Sequence, residues 1–454
     1  MKLNNEVNKK QTKRKKKTKI SIQKIFNLIS AMFILACSIF YGTRFITLYL
    51  DNNKPEDVKV LADNIRDHNS ENSSFKNISG DYYFEGTDVN NYLKYSNLTW
   101  RIIKVNSNDT VTLVLNNSIT TLAANSKSYT NSYINMWLNK SNKDYTGILE
   151  KNLNNTNEYL TYANTCNDII DDNKNITCKQ HINDELITVP SLSDYVNTGG
   201  QKGFMNNNEY YYLVNNNKEG KLWYIDENGV SKTSDSSDIL GIRPVITIKK
   251  NIKLISGNGS QNNPYIIEEE NGLFGSYIKL GNDLWRVYSI EGDNIKLSLN
   301  SYLTIKNNDI RYKYSTTGYH YNDTKQGSLA YYLKNTLLPT LEYKNIIKDA
   351  KYSNGIYSNV TSFDYTKVLN TKTDAKVSIL SIGDIIINPI NTNYYVSTGI
   401  SEDSNQMYVF QNNFKLVTRN ATTNLKTIPV ISIDKKLITG GDGTIDNPWE
   451  VSNE

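Results

Sequence analysis

Little in this chain of 454 residues could hold a metal or supply a nucleophile: it has three cysteines, three histidines and eight prolines. His68, His181 and His320 share no H-x-x-H or H-E-x-x-H spacing, so the paired imidazoles of a zinc site are missing. Neither a G-x-S-x-G elbow nor a phosphate-cradling glycine loop occurs. The loop Gly441–Pro448 carries Asp442 and Asp446 but lacks the alternating acids of a calcium loop, and its Gly and Asn-Pro read first as turn formers. The expectation is no catalytic residue, no cofactor and no metal. Apolar residues are also sparse, at 38%, and tyrosine is used 33 times against 11 phenylalanines. A tyrosine buries its ring and keeps one polar end satisfied, so such a chain still builds cores.

Basic charge is nearly absent as a surplus outside one short segment. Lys9 to Lys19 holds eight basic residues and no acid, and without them the rest is slightly acidic. A nucleic-acid surface would spread its cations over a folded face with aromatic platforms, so no nucleic-acid partner is expected. Here the cations precede Ile25–Thr43, 19 residues without a charge. As a helix that run would measure about 28 Å, close to the hydrocarbon thickness of a bilayer. The lopsided flanking charge puts residues 1–24 in the cytoplasm and everything beyond about residue 50 outside. The sequence thus predicts a single-pass protein of the cell membrane whose bulk is extracellular. Two alternatives are a cleaved signal peptide, which the bulky Ser38-Ile39-Phe40-Tyr41 opposes, and a lipoprotein acylated at Cys37, after which the chain stays apolar. Residues 44–78 read as a linker, with Pro55-Glu56-Asp57 opening a short helix over Val58, Leu61 and Ile65.

The remainder is duplicated. Trp100-Arg101 returns as Trp285-Arg286, a shift of 185. Ser191-Leu192-Ser193-Asp194 returns as Ser381-Ile382-Gly383-Asp384, and Leu222-Trp223-Tyr224-Ile225 as Met407-Tyr408-Val409-Phe410. Pro244-Val245-Ile246 is answered by Pro429-Val430-Ile431. The tail Gly257-Asn258-Gly259-Ser260 with Asn263-Pro264-Tyr265 is answered by Gly441-Asp442-Gly443-Thr444 with Asn447-Pro448-Trp449. Landmarks in one order at nearly constant offset define two repeats, 79–270 and 271–454. Each opens on a β-hairpin, Thr99–Leu115 and Asp283–Leu299, rich in β-branched residues around a polar turn. A helix over Tyr133, Ile134, Trp137 and Leu138 follows, answered by Leu329, Tyr332 and Leu333, so that Tyr332 stands for the tryptophan. Further strands are expected over Tyr210–Val214, Lys221–Asp226 and Ile242–Ile248. The fold class is α+β: an N-terminal transmembrane helix, then two repeated, mainly antiparallel β-rich modules.

Tryptophans that open apolar strands are core residues by default. In the run Tyr210-Tyr211-Tyr212 alternate rings must face opposite sides, which leaves Tyr211, with Trp223, as candidate ligand contacts. Cys166 and Cys178 lie in one polar loop and are candidates for a disulfide, against a reading as two free thiols.

Taken together, the segments Asn91–Tyr95, Leu98–Ile102, Ile134–Asn139, Leu192–Asp194, Tyr211–Leu213, Trp223–Gly229, Gly241–Ile246 and Ser256–Ile266 resemble an uncharacterised repeat family of exported Firmicute proteins. That family is in turn distantly similar to C-type-lectin-like modules of the formylglycine-generating-enzyme type. The resemblance covers nearly all of residues 80–454 and implies a mixed α/β core with long loops. It also singles out Arg243, in the closing Gly241-Ile242-Arg243-Pro244, as a ligand anchor or a buried cation. In the second repeat Ile428 replaces it. The expected role is ligand binding or adhesion at the cell surface, toward a glycan or a surface protein. The alternatives are a structural or assembly component of the envelope and an exterior enzyme.

Overall fold

The computed structural model describes residues 22–52, 59–141, 143, 146–171, 176, 178–268, 272–305, 308–316, 325–355, 371–388, 393–400 and 405–452. They divide into two units, residues 1–58 and 59–454. In the first, the charge-free run lies within one helix, α1 (Ile22–Asn52). Its large apolar side chains are exposed, from Ile29 at 56% to Phe33 at 69%. Among the described residues no helix is long and apolar enough to cross a membrane. The transmembrane expectation therefore has no support from the fold.

The second unit takes in part of the expected linker. α2 (Leu61–His68) buries Leu61, Ala62 and Ile65, and the Leu61 amide donates to Ile252 O at 2.9 Å. The strand β1 (Phe75–Ile78) pairs antiparallel with β2 (Asp81–Phe84). The polar stretch before residue 79 is thus part of the body, not a stalk; the helix start expected at Pro55 lies outside the described residues.

Repeat one contains two sheets. In the first, β3 (Tyr92–Tyr95) pairs with β4 (Leu98–Val105), which pairs with β5 (Val111–Leu115). The second has a core of β6 (Thr120–Leu122), β7 (Tyr211–Asn216), β8 (Leu222–Ile225), β9 (Ser231–Ser234) and β10 (Leu240–Ile242). β11 (Val245–Ile248) returns to the first sheet beside β5. The continuous strand expected over Ile242–Ile248 is therefore two strands in different sheets. Arg243-Pro244 is the crossing point, since proline offers no ladder donor. α3 (Tyr133–Leu138) forms where expected, and Ser132 caps it by accepting the Asn135 amide at 3.2 Å.

Repeat two builds the same pair of sheets. Tyr277–Leu280, Asp283–Glu291, Asn294–Leu299 and Pro429–Asp434 follow one another in the first sheet. Trp100 faces Leu115 as Trp285 faces Leu299, and a bulge interrupts Ile102/Lys104 as it does Val287/Ser289. In each second sheet one pair is parallel, Tyr211 with Gly241 and Tyr394 with Lys426. The duplication read from sequence is thus a duplication of topology and register. One match changes. The capping serine Ser328, which accepts the Tyr331 amide at 3.2 Å, sets Leu333 rather than Tyr332 opposite Trp137.

The repeated tails clasp the start of each repeat. Gly259 O accepts the Tyr92 amide and Gly443 O accepts the Tyr277 amide, both at 2.8 Å. Tyr265 then pairs parallel with Leu93, and Trp449 with Ile278. Only glycine fits Gly257 and Gly441: both have positive φ, and a Cβ would strike the carbonyl of Pro264 or Pro448. The oxygens of this loop serve the turn itself, Asp442 Oδ1 taking the Thr444 amide at 2.9 Å. The repeats also share a core, because Leu380, Ile382, Ile385, Phe410, Phe414 and Ile428 of repeat two join the large apolar cluster of repeat one.

Candidate site between the repeats

The three residues singled out as ligand contacts offer no surface. Tyr211 and Arg243 are fully buried and Trp223 nearly so. The Arg243 Nε donates to Leu115 O at 2.7 Å and its Nη1 to Met205 O at 2.6 Å, with the guanidinium 5.2 Å from the Tyr211 ring centre. The Tyr211 hydroxyl donates to Met205 O, and the Trp223 indole to Ile170 O. All three tie loops to strands; of the two readings of Arg243, the buried cation is the observed one. Nearby Glu209 is buried too. Its carboxyl is raised by that burial, against the lowering pull of the Ser118 amide, Asn117 and Arg243.

Cys166 and Cys178 are bridged, with Cα atoms 5.5 Å apart. The bridge closes a loop on which Asp168 accepts the Lys179 and Gln180 amides at 2.9 and 2.6 Å. Reduction is expected to lower stability by about 3 kcal/mol, the loop-closure entropy for a ring of this size. Urea unfolding with and without reductant measures it; unchanged midpoints together with three titratable thiols, Cys37 among them, would show that the bridge does not form.

Concavity lies elsewhere. Between the repeats runs a cleft of about 450 Å³, walled by Lys151 and Asn152 of repeat one and by Glu291, Lys296, Lys372 and Asp384 of repeat two. That volume is within the range of small-ligand sites. A second cavity, of about 50 Å³, lies by Trp285, where the Tyr343 hydroxyl donates to Asp283 at 2.5 Å. It has room for little more than a water or two.

The cleft lies where, among the described residues, repeat two has no counterpart of the β1–β2 hairpin. In repeat one, β2 covers the far half of the β4 edge, Tyr82 beside Val105 and Tyr83 beside Lys104. The matching edge of repeat two, around Ser289 and Ile290, has no strand beside it among the described residues. Its Ile290 amide is met instead by the Asn152 side chain at 2.8 Å. Under β2 a polar cluster is sealed: Lys104 Nζ lies 3.0 Å from Asp81, 3.1 Å from the Tyr83 hydroxyl and 4.0 Å from Asp194. Burial pulls the Lys104 ammonium down, but Asp194, Tyr83 and Asp81 together outweigh it and hold it above its usual range. Burial, with Asp194, pushes the Tyr83 hydroxyl up to about 12.

Repeat two keeps the ingredients and opens them. Asp384 occupies the place of Asp194, and its Oδ2 accepts the Ser381 amide at 2.7 Å. The lysine has crossed the ladder: Lys104 faces Thr112, whereas Ser289 faces Lys296. Lys296 donates to Glu291 at 2.7 Å and to Lys351 O at 2.9 Å. Burial raises the Asp384 carboxyl to about 6, opposed by the Ser381 amide and by Lys296. Sequence reasoning missed this site because none of its residues forms a motif. The one signal was that Ser381–Asp384 repeats Ser191–Asp194.

Two carboxyls give the stability a pH dependence. Glu268, which accepts the Ser96 amide at 2.6 Å, is raised by burial to about 7, and Asp384 to about 6. A raised carboxyl stabilises the fold while protonated, fully below its unfolded value near 4, and that contribution is lost as pH rises through the folded value. Stability is therefore expected to fall between pH 5 and 7.5 by roughly 1–3 kcal/mol from these two groups. Urea midpoints across that range measure it, and E268Q with D384N should flatten the slope; a slope of opposite sign, or one the variants leave in place, excludes this origin.

No family model, no curated protein and no solved structure matches the chain.

Proposed function

We propose that the chain is a membrane-anchored, cell-surface binding protein whose ligand enters the cleft between its two repeats. The cleft carries the reading: an opening of about 450 Å³ lined by opposed charges, which neither repeat could form alone. The anchor rests on the sequence alone, the charge-free run Ile25–Thr43 after eight basic residues. Alkaline carbonate should leave the chain in the membrane pellet, and protease added to intact cells should remove residues 59–454. Extraction into the supernatant would rule the anchor out. For the site, full chain in detergent is screened against glycans and surface proteins. K296M and D384N should each weaken binding about tenfold with melting temperature retained. A ligand indifferent to both variants does not use the cleft.

A second reading has one observation in its favour. Asp384, with its raised carboxyl, and Glu291 line the same cleft, a pairing that could serve acid–base chemistry on a glycan. Mass spectrometry of oligosaccharides incubated with the protein decides it; intact substrates across pH 5–7 remove this reading.

A further inference from the structure

We infer that the Cys166–Cys178 bridge is a thiol–disulfide exchange site, in which a partner's thiolate attacks Cys178 and His181 stabilises the Cys178 thiolate once it is released. The site is independent of the cleft and adds a chemistry to repeat one.

The two sulfurs differ in access. Cys166 is 5% exposed, whereas Cys178 lies in a run of exposed residues with Lys179, Gln180 and His181. An incoming thiolate therefore meets the Cys178 side of the bond. There the Nε2 of His181 lies 3.1 Å from the Cys178 sulfur. A bridged sulfur carries no charge and gains little from an imidazole. A thiolate gains much, because a histidine cation beside it favours the charged form.

The module does not require the bond. Repeat two builds the same pair of sheets without a cysteine. Around the bridge, other contacts hold the two cysteines face to face. Cys166 pairs with His181, and Thr165 with Ile182, in a short antiparallel ladder. The Asn167 amide donates to Gln180 O at 2.8 Å, and Asp168 accepts the Lys179 and Gln180 amides at 2.9 and 2.6 Å. The Asn215 side chain donates to Cys166 O at 3.2 Å and to Asp168 O at 3.0 Å. Opening the bond thus leaves both thiols in place, oriented to close again.

The exchange balances with partner thiols as the reductant. A first thiolate attacks the Cys178 sulfur, the bridge breaks, and its electron pair leaves with the Cys166 sulfur. A mixed disulfide then joins the partner to Cys178. A second partner thiolate attacks the partner's sulfur, and the electron pair of that bond leaves with Cys178, beside His181. The two partner sulfurs end joined and oxidised. The bridge has gained two electrons and, from the two partner thiols, two protons.

For the test Cys37 is first replaced by serine, so that only the pair reports. The full chain in detergent is treated with free cysteine or with reduced, unfolded ribonuclease, and adducts quenched in acid are mapped by mass spectrometry. Adducts should form on Cys178 at least about tenfold more than on Cys166, and the two reagents tell a small thiol partner from a protein one. In C37S/C166S, the Cys178 thiol should react with iodoacetamide at neutral pH about threefold faster than in C37S/C166S/H181A, with equal melting temperatures. Should C166S fail to fold, the H181A comparison is made on the reduced C37S chain, by identifying the sulfur alkylated first. No adduct with either reagent, adducts shared equally by the two cysteines, or a rate that H181A leaves unchanged overturns the inference.

Discussion

Replacing Trp137 with alanine is expected to destabilise the protein by about 4 kcal/mol, with the loss felt in both repeats. Trp137 is fully buried on α3, and its indole nitrogen donates to Gly383 O of repeat two at 2.7 Å. Two costs add. The cavity left by an indole is too large to close by relaxation, and the Gly383 carbonyl loses its donor in a buried place. The neighbouring bonds, Thr120 Oγ1 to Asp384 O at 2.8 Å and the Ile386 amide to Ile119 O at 2.7 Å, hang on the same packing. W137F separates the terms: it keeps most of the volume and should lose only about 1–3 kcal/mol. Urea unfolding followed by circular dichroism measures both. A loss below about 1 kcal/mol in W137A would mean that Trp137 is not the pin between the repeats. Because Gly383 precedes Asp384, W137A should also weaken any ligand of the cleft.

Arg243→Ala is expected to cost about 3–5 kcal/mol, although no ligand contact is removed. Two backbone carbonyls, Leu115 O and Met205 O, lose charged donors, and Glu209 is left buried with less to offset it. Repeat two indicates how the position can be made apolar. Ile428 sits there, buried in the core, and along the sequence Thr392, outside the described residues, stands two places before Tyr394 as Glu209 stands two places before Tyr211. In the sequence of repeat two the cation and the acid are thus replaced together. R243I alone should therefore remain destabilising, and R243I/E209T should recover about 2 kcal/mol of the loss in a double-mutant cycle. Additive losses would show the two charges to be independent.

Much of the fold was legible because the signals were local. Hairpins announced themselves by β-branched runs around polar turns, and the ladder Trp100–Leu115 runs where the sequence put it. The repeat was legible from landmarks alone, and its copies agree down to the position of a bulge. The boundary at residue 79 was not, because α2 and β1 are polar by composition and reveal their partners only on packing. Tyr211, Trp223 and Arg243 misled as contacts for a related reason. Aromatic and cationic residues look alike in sequence whether they face a ligand or a backbone carbonyl.

What the sequence by itself determined is the order of parts: a basic tail, a charge-free run, and two modules of one β-rich design. Which module carries an opening was decided only in three dimensions. Arg243, present in repeat one alone, suggested the first; the cleft lies against the second. The reason is physical. A strand from the chain's own N-terminal side covers one copy of a shared edge, the other copy is met among the described residues by the Asn152 side chain, and a lysine has moved across the ladder to stay near its acid. The first two of those facts join residues more than twenty positions apart, where composition and periodicity carry no information.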